Sequence, residues 1–142
     1  LLVYKEQNKN IMKLTIPFYL HKVGAGFPSP ATDYIEDDID LNSHLITNAP
    51  ATFIIRVQGK SMTNVGIYDG DLLIVDKSID PRNFSTVIAN VHEELVVKTL
   101  IKEKGDSYLT SGSKNILNKI NLIENPEIVI WGVVTYVIHK QQ

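Results

Sequence analysis

Cysteine is absent from all 142 residues. Disulfide scaffolds, thiolate nucleophiles, cysteine-ligated zinc fingers and iron–sulfur clusters are thereby excluded. Positive charge is not in excess either, with 14 Lys and Arg against 16 Asp and Glu. A protein that grips a nucleic-acid backbone unaided carries a basic excess, so direct sequence-specific DNA binding is not expected. Long apolar runs are missing as well. The longest, near Ile128–Ile138, is interrupted by Gly132, Thr135 and Tyr136, and it falls short of the roughly 18–20 residues of a spanning helix. The start, Leu1-Leu2-Val3-Tyr4-Lys5-Glu6, has no basic segment ahead of its apolar residues, so a signal peptide is not expected. The expected location is cytoplasmic, with no membrane partner. No metal-ligand spacing and no cofactor motif is present, and neither group is expected.

What is present divides into two textures. Residues 1–50 hold four of the six prolines, Pro17, Pro28, Pro30 and Pro50, and few periodic runs. Gly24-Ala25-Gly26-Phe27-Pro28-Ser29-Pro30 is not expected to be helical, because each proline removes a donor and restricts the residue before it. It reads as an exposed, extended arm. Asp33 to Thr47, with Ile35, Ile39, Leu41, Leu45 and Ile46, predicts one or two short helical or extended pieces.

Residues 51–142 read as strands. Thr52–Val57, Asp71–Asp76, Thr86–Val91, Leu95–Ile101, Tyr108–Thr110 and Ile128–His139 are rich in Val, Ile, Leu and Thr. Turn residues separate them, among them Asp69-Gly70, Asp80-Pro81, His92-Glu93-Glu94 and Gly105-Asp106. Short strands at such spacing predict an all-β fold of mostly antiparallel strands. The expected division is an arm and linker over 1–50 and a core domain over 51–142.

Two residues invite a chemical reading. Ser61 follows Gly59 where a strand ends, and a serine there either caps a turn or presents its Oγ as a nucleophile beside backbone N–H groups. Gly59-Lys60-Ser61 also resembles the end of a phosphate loop, but the glycine required five positions earlier is Ile54, inside a β-branched run. Lys98 lies in Leu95-Val96-Val97-Lys98-Thr99-Leu100-Ile101, and strand alternation puts Val96 and Leu100 on its face. Such a lysine either snorkels its ammonium to water or, desolvated, favours the neutral amine that serves as a base. The histidines His21, His44, His92 and His139 are scattered and read as solvated surface residues.

Three features stand in one order: Val23-Gly24-Ala25-Gly26 in the arm, Gly59-Lys60-Ser61-Met62 followed by Gly66-Ile67-Tyr68-Asp69-Gly70-Asp71, and Lys98 in an apolar strand. Gly26-Phe27-Pro28-Ser29-Pro30-Ala31, Ile39-Asp40-Leu41-Asn42 and Gly132-Val133-Val134 add to them. In these the chain resembles the LexA/UmuD family of self-cleaving Ser–Lys peptidases of the SOS response, and most of all its UmuD-type branch. The resemblance runs from about Ile16 to near the end. It implies the family's all-β peptidase fold, Ser61 as nucleophile, Lys98 as general base 37 positions on, and cleavage between Ala25 and Gly26. It implies a homodimer, activation by a RecA–single-stranded-DNA filament, and service of the shortened form to the catalytic subunit of a Y-family translesion polymerase. The chain departs from the pattern at Lys60, where an acidic residue is common in the branch, and at Gly24, where a bulkier one is. The alternatives are a non-cleaving interaction module of the same fold and the peptidase domain of a LexA-like repressor. Against a complete repressor, the 25 residues ahead of Gly26 are too few for a helix-turn-helix reader.

Overall fold

A computed structural model of the chain describes residues 14–19, 35–112 and 118–141. The chain divides into two compact units, Leu1–Thr47 and Asn48–Gln142. In the first, β1 (Ile16–Tyr19) pairs antiparallel with β2 (Ile35–Ile39). A five-residue helix, α1 (Leu41–Leu45), follows at once. Asp40 starts it: its side chain accepts from the Asn42 amide at 3.2 Å, a donor that the first helical turn leaves free, and also from the Ser43 hydroxyl at 2.7 Å. The sequence pattern foresaw short pieces between 33 and 47. It did not foresee β1, whose Pro17 reads as a breaker but is tolerated in a two-stranded ribbon.

The second unit is a seven-stranded antiparallel sheet. Its strands are β3 (Thr52–Arg56), β4 (Leu72–Asp76), β5 (Thr86–Val91), β6 (Glu94–Glu103), β7 (Asp106–Thr110), β8 (Ile120–Asn121) and β9 (Val129–Ile138). The spatial order is β3-β4-β9-β5-β6-β7-β8. The all-β expectation holds, and six predicted strands lie where the pattern put them, within two residues at either end. β8 escaped notice because two residues carry no periodicity.

Alternation explains the core. One cluster holds Val57, Met62, Ile67, Leu73, Val75 and Ile88. A second holds Val87, Ala89, Leu100, Leu109 and Val133. Ile88 belongs to one and its neighbours Val87 and Ala89 to the other, so β5 is buried on both faces. That is why Val87, Ile88 and Ala89 form an unbroken apolar run rather than an alternating one. Val97 of β6 packs on the same cluster as Phe53 and Ile55 of β3, although three strands separate β3 from β6 in the sheet. The sheet therefore curls until these two strands share a core.

β9 carries two irregularities that help it curl. Its pairing slips opposite Ile74/Val75 and opposite Ile88/Ala89, leaving Thr135 and Trp131 as the extra residues, and such bulges raise local twist. Gly132 follows Trp131 for a steric reason. A Cβ there would lie 2.7 Å from Val75 Cγ1 and 3.1 Å from the Asp76 carbonyl oxygen, so only glycine lets β9 approach β4 this closely.

Candidate active site

The segment between β3 and β4 is held at several points. The Val57 amide donates to the Asp71 carbonyl at 2.8 Å, and the Gly70 amide donates back to the Val57 carbonyl at 2.8 Å. The Gly59 amide donates to Asp69 Oδ1 at 2.7 Å. Between these ties runs a single 3-10 turn, Thr63–Val65. Met62 and Ile67, each 2% exposed, anchor the segment in the first core cluster. Ser61 precedes buried Met62 and is itself exposed. Burial of its neighbour fixes the backbone while leaving the hydroxyl accessible.

Ser61 faces a groove of about 380 Å³. One wall is Ile55 to Gly59 with Ser61 and Met62, and the other is Glu94 to Lys98 of β6. Both walls are free strand edges among the described residues. β3 ends the sheet, and β7 pairs with β6 only from Thr99 to Glu103. Lys98 is half-buried, and its Nζ donates to Ser111 Oγ at 2.9 Å. The two residues singled out by sequence thus line one groove. Ala25 and Gly26 lie outside the described residues.

Ser111 was missed by sequence reasoning. Thr99 pairs with Thr110, so continuing the register one step sets Lys98 opposite Ser111 and puts both side chains on one face. That signal needs the β6–β7 register and is invisible before pairing is known. Next to it, Gly112 abuts the Asn64 side chain, with which any Cβ at Gly112 would collide. The turn that bears Ser61 is thereby packed against the segment that holds Lys98.

A family model described as Peptidase S24-like matches residues 17–135. The chain belongs to the peptidase S24-like family. It is of the UmuD type: it is 42% identical to Protein ImpA of Escherichia coli over 124 residues, 87% of this chain and 83% of that one. It is 37% identical to Protein MucA of Escherichia coli over 122 residues, 86% and 83% of the two chains. It is 39% identical to Protein SamA of Salmonella typhimurium over 140 residues, 99% and 95% of the two. Peptidase S24 is a family of self-cleaving serine peptidases, and the antiparallel sheet described above suits it. No helix among the described residues is long and apolar enough to cross a membrane. No group of His, Asp and Glu among them is placed to hold a metal ion.

In this S24 chain one histidine differs from its expected role. His139, read as a solvated end residue, places Nδ1 2.6 Å from Asp71 Oδ1. Asp71 is 2% exposed, and its other oxygen accepts from the Tyr68 amide at 2.8 Å. The end of β9 is thus tied to the turn that closes the Ser61 segment. Sequence reading missed this because the partners stand 68 positions apart. The Asp71 carboxyl is held below its ordinary value of 3.8, first by the Tyr68 amide, then by the hydrogen bond from His139, against an opposing effect of burial. A depressed carboxyl stabilises the fold above its unfolded-state value and loses that contribution as pH falls through the lowered one. Asp71→Asn is therefore expected to destabilise the chain at neutral pH. Urea titrations in an acid series should show its gap from wild type closing only below about pH 4, where an unfolded-state carboxyl takes up its proton.

Proposed function

We propose that the chain is a serine peptidase that cleaves itself between Ala25 and Gly26, with Ser61 as nucleophile and Lys98 as general base. The observation that carries this reading is the shared groove: Ser61 on one wall, Lys98 on the other, its amine held at 2.9 Å by the Ser111 hydroxyl. An amine held in place inside a half-apolar cleft is suited to take a hydroxyl proton.

The reaction runs in two halves. The neutral Lys98 amine takes the Ser61 proton as Oγ bonds to the Ala25 carbonyl carbon. Negative charge gathers on the carbonyl oxygen, where the Ser61 backbone N–H can stabilise it. The Ala25–Gly26 bond then breaks, the Gly26 nitrogen takes the proton from Lys98, and the Ala25 acyl group stays on Ser61. Water, deprotonated by the same amine, releases an arm ending in the Ala25 carboxylate and a body starting at Gly26. Gly26 suits the bond because it offers no side chain to hinder the approach. Tethering the substrate to the enzyme supplies a high effective concentration.

The same reading, supported by the UmuD-type relatives, extends to the biology. The chain acts as a cytoplasmic homodimer in SOS mutagenesis. A RecA–single-stranded-DNA filament promotes cleavage by favouring a docked arm. The shortened form then joins the catalytic subunit of a Y-family translesion polymerase. Contact with DNA comes through these partners, in keeping with the balanced charge.

Purified chain incubated at alkaline pH, where more lysine is amine, should slowly yield a fragment whose mass begins at Gly26. Addition of RecA filament at neutral pH should give the same fragment faster. An intact chain under both conditions would overturn the peptidase reading and leave an interaction module.

A further inference from the structure

The groove has a polarity of its own. The free edge of β6 extends only on the N-terminal side of Lys98, from Glu94, because β5 covers the opposite edge and β7 occupies this same edge from Thr99 onward. An extended peptide that adds to this edge must therefore run from Lys98 back toward Glu94. Proline decides which half of the substrate can do so. After the bond at Ala25–Gly26, Pro28 and Pro30 lack the N–H groups that edge pairing uses. Before it, Leu20-His21-Lys22-Val23-Gly24-Ala25 contains none. Of the two sequences, only the upstream one, as an extended peptide, has the N–H groups to pair along β6, in the parallel sense.

The charges lining the groove are Arg56, Glu94 and Lys98. Arg56 Nη1 donates to the Gly70 carbonyl at 3.0 Å and Lys98 donates to Ser111. Glu94 is exposed, and its carboxylate has no partner among the described residues. It stands four residues before Lys98, about 13 Å along the strand. A substrate residue three before Ala25 stands about 10 Å upstream of it in extended chain, within a lysine's reach of Glu94. The residue at that position is Lys22.

We infer that Glu94 is a specificity-determining residue of the groove, selecting a basic side chain three residues ahead of the residue whose carbonyl is attacked. Leu95, Val96 and Val97 favour an apolar backbone track between the two charges, where Val23 and Gly24 fall. The inference rests on the peptidase reading above for its register.

Charge reversal tests it in the full chain. Glu94→Lys and Lys22→Glu should each slow cleavage at low salt about fivefold, the scale of an exposed ion pair turned to repulsion. The double reversal should return the rate to within about twofold of wild type, and about 0.5 M salt should narrow the gap of each single variant. Single variants equal to wild type, or a double variant no faster than the slower single, would overturn the inference. A second arm does not depend on turnover. A fluorescent peptide of residues 18–27 should bind Ser61→Ala protein more tightly than its Lys22→Glu version, and Glu94→Lys in that background should invert the order. If the wild-type chain never cleaves, the peptidase reading fails, while peptide preference still decides the role of Glu94. Equal binding of both peptides overturns it.

Discussion

Ser61→Ala and Lys98→Ala should each abolish release of the arm. The expected fall is about 10⁴-fold or more for either, because residues of a catalytic unit act together and removing one costs nearly as much as removing both. Ser61→Ala removes the atom that forms the acyl bond. Lys98→Ala leaves the hydroxyl but no group in the groove to take its proton, since the other charged lining residues, Arg56 and Glu94, cannot serve. Arg56 is a permanent cation, and Glu94 lies at the far end of the wall. Neither change should unfold the chain. Ser61 is exposed and Lys98 only half-buried, so circular dichroism and urea midpoints should stay near wild type. Fragment mass against time at alkaline pH is the measurement. A variant that still cleaves at the wild-type rate would remove that residue from the mechanism. Mixing Ser61→Ala chain, as substrate, with active chain already lacking its arm would also separate cleavage within a subunit from cleavage between subunits.

Ser111→Ala should slow cleavage about 10- to 100-fold, the cost of a base displaced by a fraction of an ångström to an ångström. On the proposed mechanism Ser111 would touch no reacting atom and act through Lys98, as a positioning residue. Its hydroxyl receives a hydrogen bond from Nζ at 2.9 Å, which selects one direction for a side chain with four rotatable bonds. Without it the amine samples positions that do not face Ser61. Ser111→Thr keeps the hydroxyl and should recover most of the rate. A merely structural role predicts something else: a lowered urea midpoint with no rescue by threonine. Cleavage by Ser111→Ala at the wild-type rate would show that Lys98 needs no such support.

The two ends of the site were unequally legible. Lys98 stood out because a charge inside Leu95–Ile101 breaks the apolar pattern. Ser61 stood out only weakly, since a serine after a glycine is commonplace, and it gained meaning from its order with Lys98 and the arm. Ser111 could not be found at all, because Thr110-Ser111-Gly112 looks like any strand end. The Asp71–His139 pair was hidden for the same reason. Asp71 sits in a recognisable Asp-Gly-Asp turn, but nothing local to His139 says that it will meet a buried carboxylate.

Six strands of the larger sheet, their turns and the all-β class were determined by sequence alone, because alternation, β-branching and turn chemistry act over a few residues. So was one exclusion: without cysteine no thiolate chemistry is available to the chain. Only the tertiary structure decided what faces what. The curl that sets β3 and β6 against one core opens the groove, and β7 pairing only from Thr99 leaves the edge beside Glu94 free. These follow from strand order and register, where a one-residue slip turns every side chain to the other face. Such long-range choices depend on the packing of the whole sheet, and no short stretch of chain contains them.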